Sequence, residues 1–368
     1  MKRTLDDAFN SKDQLNEFKN TIKRSSGEIL EKELGKIRSR ALNKESVARY
    51  LKKQYEVDKT NGDILKAILD SVQHVSAAKL FEDIKTLSFE LWDKLKSQEN
   101  RRFYIVLTGG SVHKKNGTTC TQKSNLFLAI LAFCYNGNLL DNFEDFLCRE
   151  TPLHDDVLSE VVTNFVYLDD ASFSGDQMST SLTCIGGILS RRFPGKKFKM
   201  HLVVLYMSRK AFLNTPIYDF PGEVEWYNTE TEPEELEEAL LKARYQEHQE
   251  PQIDWDVVRG AAKAFTREYL YDGEMDKPLF YTDLKIPDKV SIYPNLLLDP
   301  VLVDSDFNTI RFDEPIVKNC ELPVEGKQEE QERSTCDFFK IDQGTFCPVP
   351  TYKEPDWKDQ VADMFPLF

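Results

Sequence analysis

Two adjacent aspartates, Asp169 and Asp170, interrupt an apolar run in the stretch NFVYLDDASFSGDQMSTSL, residues 164–182. The run before them predicts a buried strand, and the residues after the following turn predict a helix. Ligands in open α/β sheets lie outside the carboxyl ends of the strands, so the pair stands where a binding site is typical. The alternative is an ordinary strand end, although two unpaired aspartates are unfavourable to bury.

The turn after the aspartates suits a phosphate. It consists of Ala171, Ser172, Phe173, Ser174 and Gly175. It leads into a helix whose first amides lack partners and carry partial positive charge. The hydroxyl of Ser174 adds a donor, and Gly175 lets the backbone approach the ligand. Carboxylates repel a phosphate but accept hydrogen bonds from sugar hydroxyls, so a ribose 5-phosphate would satisfy both parts of the stretch.

The order strand, Asp-Asp, three residues, Ser or Thr, Gly resembles the phosphoribosyl pyrophosphate (PRPP) motif of type I phosphoribosyltransferases. The ending Ser-Gly-Asp-Gln is similar to a phosphoribosyltransferase-like family of bacterial conflict and defence systems. The resemblance implies that Asp169 and Asp170 are catalytic, hold the ribose hydroxyls and bind Mg²⁺ supplied with PRPP. It also implies that the 5-phosphate lies against residues 171–177, which include Asp176 and Gln177.

Two further segments match the same pattern. The first follows the first sheet strand and would bind pyrophosphate, as glycine amides and lysines can; it comprises Thr108, Gly109, Gly110, Ser111, Lys114 and Lys115. The second, with Lys285 and Asp288 around a proline, would lie near the acceptor. An ordinary strand-to-loop turn and a rigid proline loop explain them as well. A ligand site predicts accessible aspartate carboxylates in a cleft shared with Gly109 and Gly110.

The resemblance implies transfer of a 5-phosphoribosyl group to a nitrogenous acceptor, in a defence or conflict system. Asp176 and Gln177 depart from the catalytic pattern, since Gln177 stands where a second Thr or Ser is usual. They favour an alternative, an inactive module that senses a nucleotide or binds a partner. A scaffold without ligand is the third hypothesis. Asp176 also has a structural explanation, because an acidic residue stabilises a helix start.

The surrounding elements predict how these residues are positioned. Apolar residues at three and four spacing predict helices over residues 10–98, with a break at Asn61-Gly62. Strands are predicted at 103–107, 164–168 and 199–207, with shorter ones at 224–227 and 279–285. Helices are predicted at 123–135, 155–162, 176–193, 233–247 and 256–271. This alternation predicts an α/β fold, a phosphoribosyltransferase-like doubly wound parallel sheet with an amino-terminal helical region.

Length and composition give the domain and partner expectations. We expect a helical region at 1–98, the α/β domain at 99–300 and an extended tail at 301–368. The net charge of −14 disfavours a general nucleic-acid binder. Residues 1–60 are basic, however. This segment is either a solvated helix face or a surface that contacts RNA or an acidic partner. Its amphipathic helices also allow self-association.

The remaining features concern compartment and other chemistry. No stretch approaches the roughly 20 apolar residues of a membrane span. The seven cysteines lack a CxxC pair, which favours a cytoplasmic protein without a disulfide framework. The sequence contains no GxxxxGK[ST], GxGxxG, HExxH or GxSxG motif, so P-loop, dinucleotide, zinc-protease and serine-hydrolase chemistry is not indicated.

Overall fold

The computed structural model describes residues 12–107, 111–114, 117–120, 124–148, 162–215, 220–229, 233, 254–266, 279–283, 296–297 and 299–318. The chain forms two compact units. The sheet unit comprises Met1–Lys36, Ala78–Glu232 and Ile341–Phe368, and the second unit comprises Ile37–Ala77 and Pro233–Lys340. The expected domains 1–98, 99–300 and 301–368 stay a prediction, because compactness alone does not test which segments fold independently.

The described helices and strands alternate along much of the chain. The helices are α1 (Lys12–Lys36), α2 (Lys44–Val57), α3 (Lys59–Ser71), α4 (Ala77–Leu95), α5 (Ser124–Tyr135), α6 (Gly137–Asn142), α7 (Asp176–Arg192), α8 (Arg209–Asn214) and α9 (Trp255–Thr266). The strands are β1 (Gln73–Val75), β2 (Phe103–Leu107), β3 (Ser111–Lys114), β4 (Gly117–Cys120), β5 (Phe143–Cys148), β6 (Asn164–Ser172), β7 (Phe198–Met207), β8 (Gly222–Tyr227), β9 (Phe280–Thr282), β10 (Val301–Val303) and β11 (Thr309–Arg311).

The sheet unit is built on a parallel sheet of five strands in the order β5-β2-β6-β7-β8. The predicted α/β class with a parallel sheet is therefore confirmed. The chain passes from β2 to β5 on one side and then returns to β6 on the other side. The strand order thus reverses between β2 and β6, and such reversal points are where ligands bind in open α/β sheets.

Helix α7 packs on one face of this sheet because its apolar residues recur at helical spacing. Met178, Leu182, Ile185 and Leu189 form a buried cluster with side chains of β2, β6 and β7, among them Tyr167. Burial of each such side chain stabilises the fold by about 1.5–3 kcal/mol. The helix ends at Arg192, next to Phe193-Pro194-Gly195, where Gly195 has a positive φ.

Helix α5 is almost wholly apolar, and its described side chains are buried up to Phe133. Phe18 of α1 makes ring contacts with Phe133 of α5 and with Phe146 of β5, at centroid distances of 6.4 and 6.1 Å. Asn125, near the start of α5, donates from its side-chain amide to the carbonyl oxygen of Leu168 in β6. The helix thereby reaches the strand that carries the aspartate pair.

The second unit contains α2, α3 and α9 together with β1, β9, β10 and β11. The predicted break at Asn61-Gly62 is wrong, because α3 runs through it and the break lies at Asp58. The Asp58 carboxylate accepts from the Asn61 amide at 2.7 Å and so begins α3. A Cβ on Gly62 would lie 2.6 Å from the Tyr55 ring, so the glycine serves packing between α2 and α3.

Several elements differ from the sequence expectations. The strand predicted at 279–285 is described as β9, which pairs with β1 and not with the five-stranded sheet. β5 and the β3–β4 hairpin were not predicted. The helices predicted at 155–162 and 233–247 fall outside the described residues except for Val162 and Pro233, which are not helical, and most of the tail also falls outside. None of the described helices is long and apolar enough to cross a membrane.

Candidate functional site

The aspartate pair lies at the carboxyl edge of the sheet, beside the reversal point. β6 is parallel to β2, and their last paired residues are Val106 and Tyr167. β2 ends at Leu107, one residue later, so the carboxyl ends of both strands meet at this edge. The end of the first sheet strand and the end of β6 therefore lie at the same edge of one sheet.

β6 is longer than the predicted strand 164–168, because it runs through both aspartates to Ser172. Its pairing with β7 continues to Ser172 and Met207, whereas its pairing with β2 has already ended. Successive side chains in a strand point to opposite faces. Asp169 therefore shares a face with Tyr167, and Asp170 points to the other face.

Asp169 is held by its own strand. Its Oδ2 accepts a hydrogen bond of 3.0 Å from the Tyr167 hydroxyl, and its Oδ1 accepts one of 3.0 Å from the Asp170 amide. Both aspartates are only 5% exposed. The expectation that the carboxylates are accessible to solvent is therefore wrong for this structure, and the burial requires partners that offset the loss of hydration.

Tyr206 of β7 interacts with two acidic residues, Asp83 of α4 through a hydrogen bond and Asp170 of β6 through its charge. The Tyr206 hydroxyl donates to Asp83 at 2.7 Å, and Lys79 pairs with the other oxygen of Asp83. Burial raises the pKa of Tyr206 above its usual range, and the hydrogen bond to Asp83 and the charges of Asp83 and Asp170 raise it further. Tyr206 therefore stays neutral and donates its hydroxyl hydrogen to Asp83.

The turn after β6 is anchored through three consecutive carbonyl oxygens. The Ser172 carbonyl accepts from the Ser208 amide at 3.0 Å, and the Phe173 carbonyl accepts from the Ser208 hydroxyl at 2.6 Å. The Ser174 carbonyl accepts from the side-chain amide of Asn214 at 3.1 Å. The same Ser208 hydroxyl caps α8 by accepting from the Ala211 amide at 3.1 Å. The carbonyls are thus engaged by the segment around α8. The side chains of Ser172 and Phe173 are buried.

Gly175 begins α7 in the left-handed conformation, with φ of 81°. Its neighbour Ser174 accepts from the Asp176 amide at 3.2 Å through its hydroxyl oxygen, which leaves the hydroxyl hydrogen available to a ligand. Asp176 is exposed, and Ala171 is half-buried. Of Gln177 the structure describes the helical backbone only.

Several predicted contacts cannot be placed at the site. Thr108, Gly109, Gly110, Lys115, Lys285 and Asp288 lie outside the described residues. Ser111 and Lys114 are the first and last residues of β3, whose backbone pairs with β4 as an antiparallel hairpin. The proposed roles of all eight in binding pyrophosphate or acceptor stay predictions.

The donor set at the edge suits Mg²⁺ better than a softer metal, because it offers carboxylate oxygens. Within the described part of the chain no three His, Cys, Asp or Glu side chains are arranged to hold a metal ion. Mg²⁺ commonly binds through one or two protein carboxylates plus substrate phosphates. Asp169 and Asp170 offer such carboxylates, but they point to opposite faces of β6, so one Mg²⁺ ion can take one carboxylate of the pair, with the ligand completing the coordination.

Asp83, Tyr206, Ser208 and Asn214 escaped the sequence analysis. A signal existed for Asp83, which lies three residues after Leu80 and four before Leu87, on the apolar stripe of α4. A carboxylate at such a position needs a buried partner. The residues around α8 gave no comparable signal, since Ser208 reads as an ordinary helix cap.

Comparison with known proteins leaves the family open. No protein-family model matches the chain, and no curated protein matches it.

Proposed function

We propose that the carboxyl edge of the sheet unit binds a ribose 5-phosphate ligand, with PRPP as the first candidate. The observation that carries the proposal is the position of Asp169 and Asp170, which stand at the reversal point of the strand order and directly before the left-handed turn that begins α7. Helix starts and strand ends at reversal points are the usual phosphate sites of open α/β sheets.

In this proposal the two ends of the stretch bind different parts of the ligand. Ribose hydroxyls donate to the carboxylates of Asp169 and Asp170, as charge-assisted hydrogen bonds. The 5-phosphate accepts from the first amides of α7 and from the Ser174 hydroxyl. The carbonyls of the turn already bind Ser208 and Asn214, so the turn keeps one shape without the ligand, which lowers the entropy lost on binding.

Mg²⁺ would be held by the carboxylate of Asp169 or of Asp170 together with phosphate oxygens of the ligand. When bound, it would neutralise the negative charge of a departing pyrophosphate. The protein's own share is to orient the ribose at this edge through contacts of its hydroxyls with the aspartates, and to exclude water from the anomeric carbon. Displacement at that carbon develops oxocarbenium character.

The reaction we propose is transfer of the phosphoribosyl group to a nitrogenous acceptor. The bond from the anomeric carbon to the pyrophosphate oxygen breaks with its electrons leaving on pyrophosphate. The acceptor nitrogen forms the new bond and loses a proton. A role in a conflict or defence system belongs to the same proposal.

The second candidate is a sensor that binds the nucleotide without turnover. The exposed Asp176 favours it, because this carboxylate lies in the first turn of α7, where the 5-phosphate would bind. The burial of both aspartates favours a third candidate, a scaffold without a ligand. These three candidates differ in binding and turnover, and both can be measured.

Isothermal titration calorimetry with PRPP and Mg²⁺ tests the proposal first. We expect saturable binding to the wild type and loss of binding in Asp169→Asn with Asp170→Asn. Asp70→Asn with Asp93→Asn is the matched control, since it removes two exposed carboxylates and should leave the affinity unchanged. Absence of heat with folded wild type would support the scaffold.

Pyrophosphate release then separates the enzyme from the sensor. The wild type is incubated with PRPP, Mg²⁺ and a panel of nucleobases or RNA. Release that depends on an acceptor, and that is lost in the double aspartate variant, supports the transferase. Binding without release supports the sensor.

A further inference from the structure

A cleft of about 390 Å³ opens at the opposite, amino edge of the five-stranded sheet. It lies where α7 ends and where β7 and β8 begin. Its lining residues are Ser190, Phe193, Gly195, Lys196, Lys197, Pro221, Gly222 and Glu223. Because the strands are parallel, this edge is remote from the carboxyl ends that carry Asp169 and Asp170. The two sites are therefore separate.

The cleft has a concentrated positive charge in a chain whose net charge is −14. Lys196 and Lys197 line it, and Arg191 and Arg192 precede them, so four cations lie within seven consecutive residues. The last turn of a helix favours cations, and the Arg191 guanidinium indeed donates to the Gly187 carbonyl of the same helix at 3.0 Å. That explanation does not extend to Lys196 and Lys197, which follow the helix.

The acidic residue of the lining has a partner that reduces its effect. Glu223 forms an ion pair of 3.0 Å with Lys199, the second residue of β7. Lys197 is exposed, and no ion pair joins it to a carboxylate among the described residues of the sheet unit. The potential in the cleft is therefore positive and suits an anionic ligand.

An aromatic ring lies close to two of the cations. The Lys196 ammonium is 5.3 Å and the Arg192 guanidinium 5.9 Å from the centroid of the half-buried Phe193 ring. A positively charged groove with an aromatic side chain is the arrangement that binds single-stranded nucleic acid, since phosphates pair with the cations and a base stacks on the ring. An acidic peptide would use the cations alone.

Backbone geometry keeps the cleft open. Gly195 has a φ of 81°, and a Cβ placed on it would meet no atom within 4 Å. Gly222 lies so close to the Phe198 backbone that a Cβ would overlap its carbonyl oxygen at 1.9 Å. The space beside Gly195 is therefore open, and glycine at 222 allows the close approach of β8 to β7.

We propose that this cleft binds single-stranded nucleic acid, with phosphates at Lys196 and Lys197 and one base on Phe193. The inference does not depend on the ribose-phosphate ligand at the opposite edge. RNA and DNA share the chemistry, and only a 2′-hydroxyl contact would separate them.

Fluorescence anisotropy with labelled 12-nucleotide single strands of RNA and of DNA tests the proposal, between 50 and 200 mM salt. We expect saturable binding that weakens with salt. Lys196→Gln with Lys197→Gln should weaken binding about tenfold or more and reduce the salt slope by about 1.4, because single strands lose roughly 0.7 per phosphate contact. Lys52→Gln with Lys59→Gln, an exposed pair elsewhere, should change neither.

Phe193→Leu separates stacking from charge, because leucine retains the apolar packing. It should weaken oligonucleotide binding about fivefold or more, with an unchanged salt slope. Circular dichroism melting verifies that each variant folds. A preference for RNA or for DNA would identify which nucleic acid the cleft binds, and either result supports the proposal.

Three results would overturn the proposal: no binding by the wild type at 50 mM salt, an equal loss in the Lys52 and Lys59 control, or equal competition by polyglutamate or duplex DNA. The last would assign the cleft to an acidic protein or a duplex. PRPP calorimetry on the Lys196 and Lys197 variant should match the wild type, so failure at one edge is distinguishable from failure at the other.

Discussion

Gly175 and Ala211 approach so closely that a Cβ on Gly175 would lie 2.9 Å from the Ala211 carbonyl oxygen and 3.2 Å from its Cα. The turn after β6 therefore requires glycine at this position for a structural reason, since Gly175 is in the left-handed conformation and packs against α8. The turn, α8 and Ser208 form one anchored unit at the start of α7. A ligand at this edge would meet a preformed turn.

Replacement of Gly175 by alanine should destabilise the protein by about 2 kcal/mol or more, from the left-handed φ and the contact with Ala211. Gly195→Ala is the matched control, because Gly195 has the same φ of 81° with open space around the Cβ position. It should cost about 1 kcal/mol, the backbone contribution alone. Denaturant unfolding measures both, and equal losses would show that the Ala211 contact has no effect.

Ser208→Ala removes the hydrogen bond to the Phe173 carbonyl and the cap of α8. We expect a loss of about 1–2 kcal/mol in unfolding free energy and weaker binding of PRPP, because the turn loses an anchor. Ser174→Ala should differ, with weaker ligand binding but a smaller loss of stability. Reversed behaviour of the two variants would argue against a preformed phosphate turn.

His201 should make folding stability depend on pH below 6.5. Burial lowers the pKa of His201 to about 4, although Glu225 opposes the shift. The Tyr227 hydroxyl donates to Glu225 at 2.7 Å, so Nδ1 of His201 must donate in its 3.0 Å contact with the Tyr227 oxygen. Because burial disfavours the charged ring, the folded histidine is neutral above pH about 4, and its Nε2 has no partner among the described residues.

Between pH 6.5 and about 4 the unfolded chain binds a proton that the folded protein does not, so stability falls as the pH decreases. The contribution reaches about 3 kcal/mol near pH 4. The unfolding free energy of the wild type should therefore fall relative to that of His201→Gln as the pH decreases over this range. The contributions of the carboxylates are shared by both proteins and cancel in the difference. A constant difference would contradict the neutral buried imidazole, and an NMR titration of His201 gives its pKa directly.

Asp176→Asn should tighten binding of ribose 5-phosphate, because it removes a like charge from the helix start where the phosphate binds. We expect about a two- to fivefold gain and a loss of about 0.3–1 kcal/mol in stability, since the acidic residue favours the helix start. Asp13→Asn removes the corresponding charge from α1 and should leave the affinity unchanged. Weaker binding by Asp176→Asn would place the phosphate elsewhere.

The sequence predicted the elements with strong periodicity closely. α7 begins at the predicted residue and ends one residue early, because its apolar spacing is regular and Phe193-Pro194-Gly195 stops it. β6 was predicted four residues too short. Polar residues usually end a strand, but here β7 continues to pair with Asp169 and beyond.

Only those residues of the site that are close to one another in the sequence could be predicted. Asp169, Asp170, Ser174 and Gly175 are close in sequence, so their pattern was visible. Asp83 and Tyr206 are 123 residues apart, and only the tertiary fold joins them. The sequence predicted β9 as a strand but not its partner, because so short a strand fits any parallel sheet, and its actual partner β1 is equally short.

Calorimetry with ribose 5-phosphate and its 2-deoxy analogue, on the wild type and on Asp170→Asn, tests the central claim most directly. If ribose hydroxyls bind the carboxylates, the wild type should lose about tenfold in affinity without the 2-hydroxyl, and Asp170→Asn should bind both sugars weakly and nearly equally. Equal affinity of the wild type for both sugars, or no binding of either, would contradict the account.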